Sequence, residues 1–399
     1  MIQEARPSST EPSPTSPPAP PVRVGYLVST RSYGGPERQI VGVARALDRT
    51  RFSPIIITFV CHPSEERPLL TEARKAGIPT ATVHMPTTFD PRGVQRLMRV
   101  LRSNSVGLLC TRGYKADILG LMAGRLIAIP LVAVCGGWTA HTWLIRLYES
   151  ADRTALRHMD HVVAVSEAMR RTLIGAGIAP KRIAVAPNAV DATIFRPGDG
   201  TRLRKELSIE KDTLVIAAAG RLSPEKGHRY LVEGFAHVRS RLPCHLLLAG
   251  DGPERPVLES LVLSLGLRTV TTFVGWHSDV REVYWAADVV CLPSLREGMP
   301  NAVLEAMACG KPVVGSDVGG VRELLADNES GILVPPGDPQ ALARAVTRIV
   351  EDPELAERMG KCALDRAGEM TFWRTARLIE NAYASTLRNS SGSRSVLDG

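Results

Sequence analysis

Short apolar runs recur along this chain and alternate with stretches of helical periodicity. In the first half the runs fall at residues 23–30, 53–60, 80–84, 107–110, 131–135, 161–166 and 183–186. Unbroken apolar runs of this length are typical of strands that are buried on both faces, as in a parallel sheet. Because helical stretches lie between several of them, the pattern predicts βαβ units and a parallel sheet covered by helices.

The same alternation starts again in the second half. A helix is predicted at residues 228–240, and strands are predicted at residues 214–219, 245–249, 271–274, 289–293 and 312–316. The Pro-Gly-Asp-Gly sequence at residues 197–200 is the best linker candidate between the two series. We therefore predict an α/β protein of two Rossmann-like domains, residues 22–195 and 196–371. The two would face a central cleft at the carboxyl ends of their strands.

One helix of the second half carries the most informative chemistry. Two carboxylates, Glu297 and Glu305, have seven residues between them, the first in a Gly/Pro turn and the second in a small, apolar helix. Pro300 suits the first turn of this helix and Gly310 its carboxyl-terminal cap. The open N–H groups of the first turn would bind phosphate. Asn301 and Glu305, four residues apart, would share one face, so the segment fits a sugar nucleotide.

A second turn carries two cations. Arg221 and Lys226 lie in the sequence Gly-Arg-Leu-Ser-Pro-Glu-Lys-Gly at residues 220–227, between a predicted strand and a predicted helix. A departing nucleotide diphosphate develops negative charge, which an Arg and a Lys would stabilise. Arg can hold two phosphate oxygens in a fork, whereas Lys acts as a point charge. Considered alone, this turn is equally consistent with a basic surface loop.

The segment around Glu297 resembles the E-x7-E signature of retaining glycosyltransferases of family 4, which have the GT-B fold. The resemblance extends over residues 22–388 and implies that Glu297 and Glu305 are the two signature glutamates. It also implies that Arg221 and Lys226 bind the donor diphosphate and that a last helix, residues 372–388, crosses back to the first domain. We predict Arg221, Lys226 and Glu297 as the catalytic residues. The predicted donor-binding residues are Gly34, Gly35, Arg221, Lys226, Gly275, Trp276, Glu297, Gly298, Met299, Pro300, Asn301 and Glu305.

Two glycine-containing turns are included among the predicted donor-binding residues because of the resemblance. Gly34-Gly35 lies in the first strand–helix turn and is similar to the family's glycine-rich loop near the donor phosphates and the acceptor. A glycine pair in a tight turn is also common for conformational reasons alone. Gly275 and Trp276 follow a predicted strand, and the family uses such strand ends to hold the nucleotide base, largely through backbone groups.

The end of the predicted strand at residues 131–135 departs from the family pattern. The family often has a His before a Gly at this place, in contact with the donor sugar, and here Gly136 occupies it. Either His141 takes over the contact from a shifted position or the contact is absent. We predict that Trp138 and His141 lie on an acceptor-side surface that touches lipid. Helix packing is the alternative explanation of this aromatic segment.

The net charge of +8 is unevenly distributed. Residues 1–200 hold 25 Lys and Arg against 15 Asp and Glu, whereas residues 201–399 hold 24 against 26. The first half therefore suits an anionic partner, such as acidic lipid or a phosphate-bearing acceptor. Four arginines follow one predicted helical face, which is either solvated or turned toward a membrane surface: Arg92, Arg96, Arg99 and Arg102. Nucleic acid is not an expected partner, because no nucleic-acid motif accompanies the charge.

No segment predicts export or a membrane span. The longest apolar region, residues 118–134, is interrupted by Arg125 and Pro130, and the polar N-terminus has no signal-peptide pattern. The seven cysteines are scattered without a C-x-x-C pair, which favours a reducing compartment over a disulfide framework or zinc site. We expect a cytoplasmic protein, with the inner face of the cytoplasmic membrane as one location. The Pro/Ser/Thr-rich residues 1–20 should be disordered, and residues 389–399 are predicted to be a loose tail.

Several signatures of other chemistry are missing. The sequence has no Asp-x-Asp pair, phosphate loop, dinucleotide fingerprint or His-Glu-x-x-His motif, which argues against a kinase, a dinucleotide dehydrogenase or a zinc protease. The resemblance to family 4 implies that the anomeric configuration is retained and that no metal is required, and we expect no organic cofactor. The predicted function is transfer of a hexose from a UDP- or GDP-sugar to a saccharide or lipid-linked saccharide in envelope or exported polysaccharide or glycolipid synthesis. Alternatives are another GT-B enzyme, such as a sugar-nucleotide epimerase or a phosphorylase, and a non-catalytic sugar-nucleotide-binding protein.

Overall fold

The structure is a computed structural model that describes residues 20–62, 64–87, 90–138, 143–277 and 279–395. The predicted acceptor-side residue His141 lies outside the described residues, as does nearly all of the tail predicted at residues 1–20. The described chain folds into two α/β domains, and each is built on its own parallel sheet.

The first domain alternates strands and helices as predicted. In chain order its elements are β1 (Val22–Val28), α1 (Gly35–Ala46), β2 (Phe52–Val60), α2 (Pro68–Lys75), β3 (Thr80–His84), α3 (Gly93–Ser103), β4 (Leu108–Arg112), α4 (Tyr114–Leu126), β5 (Leu131–Cys135), α5 (Trp143–Arg157), β6 (His161–Ala164), α6 (Glu167–Gly175) and β7 (Ile183–Val185). The strands pair in parallel in the order β3-β2-β1-β4-β5-β6-β7.

The second domain repeats this plan. Its elements, followed by the last helix, are α7 (Thr201–Glu206), β8 (Leu214–Ala219), α8 (His228–Arg239), β9 (Cys244–Ala249), α9 (Arg255–Ser264), β10 (Thr271–Gly275), α10 (Val280–Ala286), β11 (Val289–Leu292), α11 (Asn301–Ala308), β12 (Val313–Ser316), α12 (Val321–Leu324), β13 (Gly331–Val334), α13 (Pro339–Val350), α14 (Pro353–Glu369) and α15 (Phe372–Ser395). The parallel strand order is β10-β9-β8-β11-β12-β13.

In each sheet, the strands that follow a central strand in the chain are added first on one side of it and then on the other. In the first sheet β1 lies between β2 and β4, and in the second sheet β8 lies between β9 and β11. At such a switch point the connecting helices leave on opposite faces, and a crevice opens at the carboxyl ends of the strands. The two crevices contribute to the same cleft, which contains the loops after β1, β4, β5, β8 and β11.

The apolar runs are unbroken because both faces of each sheet are covered. In β2, Ile55 and Ile57 belong to one core, whereas Ile56 between them packs with the helices on the opposite face. Successive side chains of a strand point to opposite faces, so a strand between two helix layers needs apolar residues at every position.

The last helix, α15, packs on the first domain. Its residues Ala376 and Tyr383 are buried against α1 and β1, and the Tyr383 hydroxyl donates to that of Tyr26 at 3.0 Å. The sequence-based prediction ended this helix at residue 388 and left residues 389–399 as a loose tail. That part of the prediction is wrong, because the helix continues to Ser395.

Four elements after the last predicted strand were not anticipated: the strand β13 and the helices α12, α13 and α14. Several boundaries also differ by one or two residues. Pro300 precedes the first turn of α11 instead of lying within it, because its ψ of 120° is extended. None of the helices in the described ranges is long and apolar enough to cross a bilayer.

Candidate active site

A deep cleft lies between the two domains and contains most of the predicted site. Its volume of about 1690 Å³ exceeds the roughly 300–1,000 Å³ of a typical small-ligand pocket, so it has room for two substrates. The predicted residues that line it are Gly34, Gly35, Trp138, Arg221, Lys226, Trp276, Glu297, Gly298, Met299, Pro300, Asn301 and Glu305. Gly275 is not among them.

Arg221 and Lys226 lie on the loop that follows β8, but they differ in their contacts. The loop ends in a 3-10 turn, Pro224–Lys226, closed by Gly227 at φ +63°. The Arg221 side chain is exposed and makes no hydrogen bond or ion pair with the described residues. The Lys226 ammonium instead donates to Glu297 Oε1 at 2.5 Å. Arg221 is therefore free to bind an anion. Lys226 is instead held by the carboxylate of Glu297.

One oxygen of Glu297 is held by two donors. Oε1 accepts hydrogen bonds from Lys226 Nζ at 2.5 Å and from Ser294 Oγ at 2.7 Å. The other oxygen, Oε2, takes no hydrogen bond from the part of the chain that the structure describes. The side chain is only 8% exposed and lines the cleft. Glu297 is thus oriented by the protein and keeps one oxygen for a substrate hydroxyl.

Backbone contacts fix the turn that carries Glu297. A Cβ on Gly319, whose φ is +47°, would lie 1.9 Å from the carbonyl oxygen of Glu297. On the other side, a Cβ on Gly298 would lie 2.0 Å from the carbonyl oxygen of Gly136 in the first domain. Glycine is required at both places because the backbone of another segment approaches closely. The Glu297–Gly298 turn is therefore held by backbone contacts from both domains.

The amino end of α11 opens into the same region. Pro300 is the N-cap residue and has no side-chain group that could cap the helix. The first-turn N–H groups of a helix have no intrahelical partner, and they carry a partial positive charge. Pro300, Asn301 and Ala302 all line the cleft. The helix therefore offers an anion site close to Glu297.

Both carboxylate oxygens of Glu305 are engaged in this structure. Oε2 accepts from the Tyr284 hydroxyl at 2.9 Å, and Oε1 is paired with the Arg38 guanidinium from α1 of the first domain. Burial, together with the negative charge of Glu305, raises the pKa of Tyr284 well above its usual value. Tyr284 is therefore neutral and acts as a hydrogen-bond donor that fixes the carboxylate.

Asn301 also reaches the first domain. Its Oδ1 accepts from Gln39 Nε2 at 2.8 Å, and a Cβ on Gly35 would lie 2.4 Å from its Nδ2. Asn301 and Glu305 thus share one helix face, as predicted, and that face meets α1. A larger residue at position 35 would therefore collide with the Asn301 amide.

Trp138 is anchored to α5. Its Nε1 donates to Asp152 Oδ2 at 2.8 Å, and the Arg153 guanidinium lies over its ring at 4.8 Å from the centroid. Burial raises the pKa of the Asp152 carboxyl. Trp138 lines the first-domain wall of the cleft together with Gly136 and Gly137, on the side where an acceptor was predicted.

Gly275, at the end of β10, is hydrogen-bonded to the neighbouring strand end instead of facing the cleft. Its carbonyl accepts from the Gly250 N–H at 2.7 Å, and it adopts a φ of +74°. Trp276 follows with 69% of its surface exposed and lines the cleft. The tryptophan, and not the glycine, presents a surface to a ligand here.

Three cleft residues were missed by the sequence analysis. Arg38 and Tyr284 hold Glu305 from two different elements, and no local spacing connects them to it. Arg112 ends β4, and the predicted strand stopped two residues short of it at residue 110. A basic residue at the carboxyl end of a parallel strand was a usable signal, and a more accurate strand boundary would have revealed it.

Two facing Rossmann-like domains with an anion-binding cleft between them define the GT-B class of glycosyltransferases. A family model described as Glycosyltransferase Family 4 matches residues 33–194, and one described as Glycosyl transferases group 1 matches residues 199–366. One model falls on each domain. This chain belongs to glycosyltransferase family 4.

Curated relatives carry several activities. D-inositol 3-phosphate glycosyltransferase of Stackebrandtia nassauensis is 34% identical over 221 residues, which are 52% of this chain and 50% of that protein. Alpha-maltose-1-phosphate synthase of Mycolicibacterium smegmatis is 33% identical over 257 residues, which are 60% of this chain and 64% of that protein. The chain spans about half the length of the first of these relatives.

Solved structures share the whole architecture at lower identity. Anabaena Alr3699/HepE in complex with UDP and glucose superposes with a TM-score of 0.81 at 22% identity, covering 91% of this chain and 100% of that chain. A sucrose-phosphate synthase from Thermosynechococcus elongatus gives a TM-score of 0.77 at 22% identity, with 92% and 100% covered. These likenesses establish the GT-B fold.

Proposed function

We propose that this protein transfers a hexose from a UDP- or GDP-sugar to an acceptor hydroxyl, with retention of anomeric configuration and without a metal ion. One observation carries the proposal. The exposed cation Arg221, the Lys226–Glu297 pair and the open amino end of α11 line one cleft. A diphosphate and the sugar attached to it require this combination of positive charge beside an oriented carboxylate.

In the proposed reaction the bond between the anomeric carbon and the diphosphate oxygen breaks. A bond forms between that carbon and the acceptor oxygen, and the acceptor proton passes to the leaving phosphate. Arg221, Lys226 and the first-turn N–H groups of α11 stabilise the charge that develops on the diphosphate. Glu297 holds sugar hydroxyls through its open Oε2 and stabilises the oxocarbenium-like charge. Retention would follow if the acceptor approaches from the face that the diphosphate leaves.

Glu305 is assigned to the ribose hydroxyls of the nucleotide. A carboxylate has about four lone-pair sites on its two oxygens. Tyr284 and Arg38 use one site on each oxygen. The remaining sites accept two ribose hydroxyls, and the fixed orientation of the carboxylate lowers the entropic cost of binding them.

The acceptor and the cellular setting are assigned from the relatives and from the charge of the chain. Relatives are named for inositol 3-phosphate, maltose 1-phosphate and malate products or acceptors, and neighbouring structures contain UDP or UDP-glucose. We assign this chain to cytoplasmic synthesis of an envelope or exported polysaccharide or glycolipid, with a saccharide or lipid-linked saccharide as acceptor. The basic first half supports a location beside an anionic membrane.

Exposed apolar side chains on α4 and α5 support the same location. Leu126 is 65% exposed on α4, and Trp143 and Leu147 are 77% and 59% exposed on α5. Arg99 and Arg102 are exposed on α3, as is Arg92 just before it, whereas Arg96 pairs with Asp90 at 2.8 Å. Apolar side chains beside a basic helix are the combination that binds a membrane surface.

A thermal-shift panel of UDP-, GDP- and ADP-sugars, with and without Mg²⁺, tests the donor assignment. One nucleotide sugar should raise Tm without metal, since a ligand at 100 times its Kd adds about 2.7 kcal/mol to stability. The Glu305→Gln variant keeps an acceptor oxygen for Tyr284 but loses the charge. It should bind that donor about 10- to 100-fold more weakly.

Glu357→Gln is the matched control, because Glu357 is exposed on α14 and has no contact with the cleft. It should bind the donor as the unaltered protein does. The absence of a shift with every nucleotide sugar would contradict the donor assignment. A shift that appears only with Mg²⁺ would contradict metal independence alone.

A further inference from the structure

Arg112 is placed at the centre of the first-domain wall of the cleft. It is the last residue of β4, which lies between β1 and β5 in the middle of the first sheet. Its side chain is partly buried and lines the cleft. No role in the donor site described above uses it.

The guanidinium of Arg112 has no partner in the described part of the chain. No carboxylate there lies within 4 Å of its nitrogens, and it donates no hydrogen bond. Of the other arginines and lysines that line this cleft, four are paired: Arg38 with Glu305, Arg153 with Glu149 at 3.6 Å, Arg281 with Asp279 at 2.5 Å, and Lys226 with Glu297. Arg221 and Arg296 have no ion pair among the described residues, but both are exposed to solvent, whereas Arg112 is partly buried.

The surroundings of Arg112 disfavour an unpaired charge. Burial lowers its pKa from the ordinary arginine value, and the carboxylate that opposes this effect most strongly is Glu37. The Glu37 Oε2 already accepts the Gly34 N–H at 2.8 Å. A poorly solvated cation is costly until an anion pairs with it, so the site is incomplete without a ligand.

Gly136 provides the space for this ligand. A Cβ at position 136 would lie 3.4 Å from Arg112 Nη2, so a longer side chain there would extend across the guanidinium. The carbonyl of Gly136 meets Gly298 of the second domain, next to Glu297. Arg112 therefore faces the reaction centre from the first domain, whereas Arg221 and Lys226 approach it from the second.

We propose that Arg112 binds a phosphate group of the acceptor. The inference rests on the proposed function and adds the chemical class of the second substrate. The donor diphosphate has its own cations and a helix terminus on the second domain, so the unpaired guanidinium on the opposite wall is left for the acceptor. Arginine binds phosphate through two parallel hydrogen bonds, and the positive first half would attract such a substrate.

The first test uses inorganic phosphate as the probe. The protein is saturated with the nucleoside diphosphate of the donor found above, which occupies Arg221 and Lys226, and is titrated with phosphate at constant ionic strength while Tm is followed. Phosphate should stabilise the unaltered protein further. In Arg112→Gln its apparent affinity should fall by about 10- to 100-fold, the loss of a charged hydrogen-bond pair, while nucleoside diphosphate binding stays unchanged.

Arg49→Gln is the matched control, because Arg49 is exposed in the turn before β2, does not line the cleft, and the change in charge is the same. It should bind phosphate normally, and Arg112→Lys should retain part of the affinity. Equal phosphate binding by Arg112→Gln and the unaltered protein would overturn the proposal. So would weaker nucleoside diphosphate binding in Arg112→Gln with phosphate binding intact, which would place Arg112 in the donor site.

The second test distinguishes the source of the phosphate and separates this proposal from the function. Nucleoside diphosphate release is measured with glucose against glucose 1-phosphate, and with vesicles of phosphatidylcholine against vesicles that contain phosphatidic acid. A preference for the phosphorylated member of either pair, lost in Arg112→Gln, supports a soluble or a lipid acceptor respectively. If no nucleoside diphosphate binds at all, the proposed function fails, yet phosphate binding at Arg112 is still measured by its Tm effect.

Discussion

Replacement of Arg221 or Lys226 by alanine is expected to lower kcat/KM for sugar transfer by about 10²- to 10³-fold, the cost of removing one preorganised electrostatic donor. Each cation is aimed at charge that develops only as the diphosphate leaves. Arg221 is exposed and unpaired among the described residues, so its loss should leave the free energy of unfolding within about 0.5 kcal/mol. Initial rates of nucleoside diphosphate release, together with Tm, measure both quantities.

Arg268→Ala provides the comparison for these variants. Arg268 is an exposed arginine of the same domain that lies before β10, at the amino edge of the sheet and away from the cleft. Its replacement should leave kcat/KM unchanged. If the Arg221 and Lys226 variants also retained full kcat/KM, the two residues would not be the diphosphate ligands and the assignment would be wrong.

Glu297→Gln is expected to reduce kcat by about 10²-fold or more, the scale of a lost transition-state charge interaction, with little change in donor affinity. Glutamine keeps the size of the side chain and an oxygen for Ser294, but it removes the negative charge that faces the sugar. The Lys226 ammonium, 2.5 Å from Oε1, also loses its charged partner. Steady-state kinetics and donor thermal shifts separate the two effects.

A purely structural role for Glu297 predicts a different result. In that case Glu297→Gln would lower Tm and donor affinity while the kcat of the folded fraction stayed normal. Glu357→Gln on α14 again serves as the control for loss of one exposed carboxylate. An unchanged kcat in Glu297→Gln would remove this residue from the chemistry.

Local patterns were sufficient to predict most of the architecture. The strands β3, β5 and β8 begin and end at the predicted residues. For β5 and β8 this follows from an apolar run bounded by polar turns, whereas β3, with the sequence Thr-Ala-Thr-Val-His, alternates polar and apolar residues. β13 was missed; it has four residues, Gly331–Val334, and begins with a glycine, a residue that is depleted in strands. The last helix ends later than predicted, since it continues through the Asn-Ser-Ser-Gly sequence at residues 389–392, although these residues have low helix propensity.

The site was predictable only where a single segment builds it. The carboxylate of Glu297 and the cations Arg221 and Lys226 each lie in a short segment whose own sequence indicates ligand binding. The Arg38–Glu305 pair and the Gln39–Asn301 hydrogen bond join residues that are more than 250 positions apart. Such contacts arise from the closure of one domain on the other, and no spacing rule contains that information. Arg112 and Gly136 instead lie in the same domain, at the ends of the paired strands β4 and β5, and their proximity follows from a strand pairing that the local pattern does not specify.

Proton NMR of the transfer reaction tests the central claim most directly. The purified chain is incubated, without added metal, with the nucleotide sugar that stabilises it and with the acceptors compared above. We predict a new glycosidic anomeric signal with the configuration of the donor, formed in a one-to-one ratio with nucleoside diphosphate and absent without acceptor. A product of inverted configuration, or conversion of the nucleotide sugar in the absence of any acceptor, would contradict it.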